Sequence, residues 1–207
     1  MSNPAKTRIL VTGGTGFIGR YVVNLLTLDD IRPLVTTFQK TVPEQPHVDF
    51  VNIDLTDAAE ANELVASYKP QIVLHLAGVT GNDDPTGELY HNINFIGTVN
   101  LLNSLEKTDV NRVVMLGSAA EYGNQQIPFT ENMPARPVSH YAISKAKANQ
   151  YALDLYTSNG LPVTIFRVFT AYGFGQPDKM FLSQLVTHGL LNKYFSMSDG
   201  LQKRDFV

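Results

Sequence analysis

Six short runs of β-branched and other apolar residues punctuate the chain: RILVTG (8–13), PLVTTFQ (33–39), VDFVNIDL (48–55), QIVLHLAG (71–78), RVVMLGSA (112–119) and PVTIFRVF (162–169). Several are apolar throughout instead of alternating, the pattern of parallel strands covered on both faces. Between them, apolar positions recur with helical spacing near 17–28, 58–68, 87–107, 141–158 and 178–192. Strand–helix alternation closed by right-handed crossovers predicts an α/β fold with a doubly wound parallel sheet. The longest irregular stretch, 120–139, follows a strand end, which is where such sheets bind ligands. No internal repeat, low-complexity tract or linker interrupts the pattern.

Composition narrows the function classes. The chain has 207 residues, 43% hydrophobic and 17% charged, enough for one sizeable core. A formal net charge of −3, with no Lys/Arg run, argues against nucleic-acid or anionic-membrane binding, because either needs a basic patch to offset phosphate charge. The absence of cysteine removes disulfides, zinc-thiolate sites and thiol catalysis. The five histidines, at 47, 75, 91, 140 and 188, lack ligand spacing, so no metal is expected. No stretch has the length of a membrane span and the N-terminus lacks a signal peptide's apolar stretch, so a cytoplasmic location is the expectation.

Between the first strand and the first helix lies VTGGTGFIGR (11–20), in which Gly13, Gly16 and Gly19 form a G-x-x-G-x-x-G pattern. Glycines here permit a tight turn and a close approach of backbone to a pyrophosphate, and the helix N-terminus offers unpaired N–H groups to it. That context predicts a dinucleotide site. The acid that commonly holds the adenosine ribose at the end of the second strand is missing; the place reads TTFQK (36–40), so Gln39 or Lys40 would face that ribose, and either NAD or NADP fits. Asp54 ends the third strand and is a candidate acceptor for the adenine amino group. Asp57, in DAAE (57–60), reads as a helix cap.

In YAISK (141–145), Tyr141 and Lys145 are four residues apart and share a helix face. An ammonium about 4 Å from a phenol contributes about 4 kcal/mol at an effective dielectric of about 20. Even half of that would lower the phenol's pKa by more than about one unit. The motifs TGGTGFIG, DLTD (54–57), HLAG (75–78), NFIGTVNLL (94–102), GSAAEYG (117–123) and YAISK follow in one register, and in this the chain resembles the extended short-chain dehydrogenase/reductases, specifically the NAD-dependent epimerase/dehydratase branch that acts on nucleoside-diphosphate sugars.

The resemblance implies a Rossmann domain over 1–175 and the start of a substrate lobe over 176–207. It implies Ser118, Tyr141 and Lys145 as catalytic residues: Tyr141 the acid/base, Lys145 lowering its pKa and holding the nicotinamide ribose, Ser118 orienting the reacting oxygen. The cofactor set it implies is Gly13, Gly16, Phe17, Ile18, Gly19, Asp54, Leu55, Leu76, Ala77, Gly78, Tyr141, Lys145 and Val168. Ser118, Thr170 and Arg204 are implied for the substrate. Asn94 is expected to support Lys145 and His75 to pack beside the cofactor. A homodimer through 87–107 and 141–158 is also implied.

Three departures bear on the reaction. Ala119 and Ala120 stand where sugar 4,6-dehydratases carry an acid pair, and Glu121 is displaced by one residue, which disfavours dehydration and leaves epimerisation or net oxidation or reduction. Thr170 replaces a typical asparagine of the substrate loop. The chain also stops within DGLQKRDFV (199–207), before most of the family's substrate lobe, which leaves open a fragment or a shortened homologue. Two other readings are a dinucleotide-binding sensor with little turnover and a reductase of a non-nucleotide carbonyl compound.

Overall fold

The computed structural model describes residues 7–38, 44–81, 84–201 and 205–207. Six parallel strands, β1 (Ile9–Thr12), β2 (Leu34–Thr37), β3 (Asp49–Asn52), β4 (Ile72–His75), β5 (Arg112–Ser118) and β6 (Val163–Val168), form one sheet in the order β3-β2-β1-β4-β5-β6. All six fall within the six sequence runs, trimmed by a residue or more at one or both ends. The order reverses between β1 and β4, so the C-terminal ends of those two strands open a crevice, the usual ligand site of this fold.

The apolar residues of β1 divide between two cores. Leu10 packs with Val73, Leu101, Leu102, Leu105, Val113 and Met115, whereas Ile9 and Val11 pack with Val23, Val35 and Val48 on the opposite face. Each such side chain removed from water contributes about 2 kcal/mol. The faces are covered by α1 (Phe17–Leu28), α2 (Ala58–Tyr68), α4 (Gly97–Leu105) and α5 (His140–Asn159). Asp57 caps α2 by accepting from Ala59 and Glu60 N–H, and Ser139 caps α5 through Ala142 N–H. Gly160, at φ +73°, ends α5.

The single helix expected over 87–107 is more complex. A short α3 (Glu88–Tyr90) runs into a π-helical turn (His91–Ile96) and then α4. A wide turn of this kind accommodates one residue more than an α-turn, and it sits under the crevice with Asn94 buried. The helix expected over 178–192 is α6 (Phe181–Leu190), none of whose residues is buried. Residues 205–207 run alongside 170–172 through Thr170 N–H to Asp205 O, Val207 N–H to Thr170 O and Tyr172 N–H to Val207 O. Among the described residues no helix is long and apolar enough to cross a membrane.

Candidate active site

A cavity of about 900 Å³ occupies the crevice. The β1–α1 loop forms one end. Gly13 takes φ +67°, and a Cβ there would stand 2.6 Å from the backbone of Ala77, so the turn and the closeness of β4 both require glycine. Gly16 is the N-cap of α1, where no side chain caps the helix, and the helix N-terminus opens onto the cavity. An uncapped twelve-residue helix facing a cradle that side chains would fill fits the pyrophosphate of a dinucleotide. Phe17, Ile18 and Gly19 line the same end; Asp54, two residues past the end of β3 and not its last residue, lines it with Leu55, and Leu76, Ala77 and Gly78 follow β4. Asp54 Oδ1 already accepts from the N–H and hydroxyl of Thr56, both at 2.8 Å.

The far end is made of side chains. Ser118 ends β5, Tyr141 and Lys145 come from the first turns of α5, and Val168 and Thr170 follow from β6. All the catalytic, cofactor-binding and substrate-binding residues named from the sequence therefore line one cavity, except Arg204, which lies outside the described residues, as do Gln39 and Lys40; His75 does not line it. Sequence reasoning missed Thr80, whose hydroxyl, like that of Ser118, lies close enough to the Tyr141 phenol to lower its pKa. It also missed Tyr90, whose ring meets Tyr141 edge-on at 5.9 Å between centroids. Thr80 lies two residues past HLAG and carried a positional signal; Tyr90 carried none.

Burial opposes ionisation at this end of the cavity. Burial pushes the Tyr141 phenol above its ordinary value, the hydroxyls of Ser118 and Thr80 pull it down, and the charge of Glu121 raises it further. Lys145 does not govern it in the chain alone, because burial lowers the ammonium to about 8. A lysine that is half deprotonated at about pH 8 has lost most of its charge before a phenol raised above its ordinary value ionises. Below that pH the ammonium is present, beside Gly78: a Cβ there would lie 3.9 Å from Nζ and 3.0 Å from Asn94 Oδ1.

Asn94 is 1% exposed and clamps the β4–α3 loop, accepting from Val79 N–H at 2.8 Å and donating to Val79 O at 3.0 Å and Ser144 Oγ at 3.1 Å. His75 is buried at the end of β4, 2.7 Å from Thr12 Oγ1 through Nδ1 and 2.8 Å from Thr98 Oγ1 through Nε2. Because Thr98 gives its own proton to Asn94 O, Nε2 must be the donor, and the imidazole is held neutral as that tautomer. Burial lowers its pKa to about 3, with the Lys145 charge acting in the same direction. It is a joint between β1, β4 and α4, not an acid/base group. Glu121, fully buried, does not line the cavity; the only carboxylate that does, among the described residues, is Asp54 at the adenosine end.

On the other side the loop after β6 is strapped to α1. Arg20 donates to Gly175 O, and Tyr21 donates to Phe174 O at 2.6 Å. Lys179 reaches across to Gly81 O at 2.8 Å.

Comparison with known proteins bears on this geometry. The profile of the NAD dependent epimerase/dehydratase family matches residues 9–207. A Methanocaldococcus jannaschii protein whose name provisionally assigns it UDP-glucose 4-epimerase activity is 32% identical over 212 residues, covering 96% of this chain and 68% of that protein. A dTDP-glucose 4,6-dehydratase of Neisseria gonorrhoeae is 28% identical, covering 100% of this chain and 67% of the enzyme. The structure of MoeE5 in complex with UDP-glucuronic acid and NAD superposes with a TM-score of 0.85 at 27% identity, over 96% of this chain and 67% of that one. The chain spans about two-thirds of the length of these proteins.

Proposed function

From the premise that the chain belongs to the NAD dependent epimerase/dehydratase family, we propose that it serves an NAD-linked epimerisation or reduction at a carbon of a nucleoside-diphosphate sugar, with Tyr141 as the acid/base. One observation carries this reading: Ser118, Tyr141, Lys145 and Thr80 line the same cavity as the glycine loop.

In this reading Gly13, Gly16 and the N-terminus of α1 hold the pyrophosphate, and Lys145 holds the nicotinamide ribose. NAD, when bound, supplies a hydride acceptor and a positively charged ring beside the phenol. The chain's residues move the proton. Oxidising a sugar hydroxyl requires its proton to leave, and the Tyr141 oxygen is placed to take it while Ser118 hydrogen-bonds the reacting oxygen. The neighbouring positive charges favour the phenolate that burial opposes. Dehydration would need a further acid and base at the sugar, and Ala119 and Ala120 supply neither. That no carboxylate lines this end of the cavity among the described residues supports epimerisation or reduction over the reaction of the Neisseria gonorrhoeae relative.

The test has two parts. Denaturing the purified chain and identifying the released nucleotide by mass establishes whether NAD is retained, as an enzyme that returns its hydride to the same molecule would retain it. Conversion of UDP-glucose to its 4-epimer, or reduction of the matching keto sugar, is then compared with Tyr141→Phe. The variant is expected to lose about a thousandfold or more in kcat with NAD affinity within a few fold. A Tyr141→Phe chain as active as the native one would sink the assignment.

A further inference from the structure

Ser118-Ala119-Ala120-Glu121 is a capping box at the start of a 3₁₀ turn (Ala119–Tyr122): Ser118 Oγ accepts from Ala120 N–H at 3.2 Å, and Glu121 Oε1 accepts from Ser118 N–H at 2.6 Å. Such a glutamate ordinarily sits at the surface and needs no further partner. Here it is 0% exposed, and the same Oε1 accepts from Asn149 Nδ2 at 2.7 Å. Asn149 follows Tyr141 and Lys145 at intervals of four along α5, so the three share one helix face. We propose that Glu121 is a positioning residue: its buried carboxylate pins the Ser118 turn to the α5 face that carries Tyr141 and Lys145, and so fixes how the serine and tyrosine hydroxyls meet. This rests on the roles given to Ser118 and Tyr141 above.

The surroundings are shaped for that contact. Gly117 stands where a Cβ would come 2.5 Å from Asn149 Nδ2 and 2.7 Å from Glu121 Oε1, so the bond exists only because β5 carries no side chain there. Arg167, paired with Gly117 across the sheet, brings Nε to 3.5 Å from Glu121 Oε2 and lies 4.8 Å from the Tyr122 ring centroid. The arrangement is costly. A carboxylate has left water, and Glu121 Oε2 and Asn149 Oδ1 are buried without a hydrogen bond. A solvent-facing cap would hold the turn without that cost, so the burial answers a need beyond the turn itself: joining β5, α5 and β6 where the reaction is proposed. The charged and titratable groups facing Glu121 are Arg167 from β6 and Tyr141 and Lys145 from α5; its charge raises the pKa of both of the latter.

Two variants of the full chain separate this from a merely structural ion pair. The chain is labelled with ¹³C at tyrosine Cζ and saturated with NAD, and the Tyr141 resonance is identified by its loss in Tyr141→Phe. The fraction of phenol ionised at pH 10 is then read. Glu121→Gln keeps the acceptor oxygen and removes the charge, so the fraction should rise at least about twofold. Asn149→Ala keeps the charge and cuts the tie to α5, so the Ser118 hydroxyl should drift from the phenol and the fraction should fall, as it does in Ser118→Ala. Opposite displacements support the proposal. An unmoved phenol in Glu121→Gln overturns it, and that variant decides alone if Asn149→Ala does not fold. Displacement of both variants in one direction also overturns it. Because no substrate is involved, a chain without turnover on nucleotide sugars would fail the proposed function and leave this result standing.

Discussion

At one end of the cavity the lining is backbone, and at the other it is side chains. Around Gly13, Gly16 and Gly19 the chain presents amides and empty Cβ positions. Around Ser118, Tyr141 and Lys145 it presents a hydroxyl, a phenol and an ammonium with displaced proton affinities. A backbone site has nothing to titrate and no room for an added methyl group. A side-chain site tolerates volume changes better and answers to every charge near it. The two ends should therefore fail by different routes.

The largest expected effect breaks the backbone end. Gly13→Ala places a Cβ against Ala77 in a left-handed conformation, which should cost about 3 kcal/mol or more, over a hundredfold in ADP affinity by calorimetry. Gly189→Ala, where an added Cβ meets nothing within 4 Å, should leave that affinity unchanged. Equal affinity in both variants would show that the cradle is not built as described.

Next comes the joint between the ends. His75 has a pKa of about 3 in the fold against an ordinary 6.5, so between those values the unfolded chain takes up a proton that the folded chain refuses. Stability is therefore full above about 6.5 and falls as the pH drops toward about 3, by about 1.4 kcal/mol per unit. His75→Asn should be less stable near neutrality yet flatter in that window. Denaturant midpoints of the two chains across pH 4–7 give the comparison, with parallel slopes counting against the tautomer assignment.

The smallest effect sharpens the contrast. Lys145 sits at about 8, so raising the pH through 8 removes its charge; turnover should fall about tenfold between pH 8.5 and 9.5, while ADP affinity, which reads the backbone end, stays flat. Parallel decline of both quantities would mean that the ends are not separable in this way.

The same contrast explains what could be read in the sequence. Strands, glycine turn and caps are local: apolar runs, three glycines and Asp57 announce themselves by type and spacing. The side-chain end announced only those members that sit in motifs. Asn149, 31 residues past Ser118, could be placed against Glu121 only by the packing of α5 on the strands, and Tyr90 reaches Tyr141 across helices. Glu121 was visible as an offset acid, but its burial was not. For the same reason the burial of Tyr141 and Lys145 could not be read: spacing gives the distance between them and says nothing of how much water either group loses.

The π-turn at His91–Ile96 has a consequence for mutational tolerance. It sets the phase between Asn94, aimed at the cavity loop, and Leu101, Leu102 and Leu105, aimed at the core. Removing a single codon anywhere in that turn would let the helix close into regular α geometry without strain, yet it would rotate one side against the other by about 100°. The helix would survive such a deletion intact while either the core or the site lost its contact, so this segment should accept point substitutions far more readily than a change of length by one.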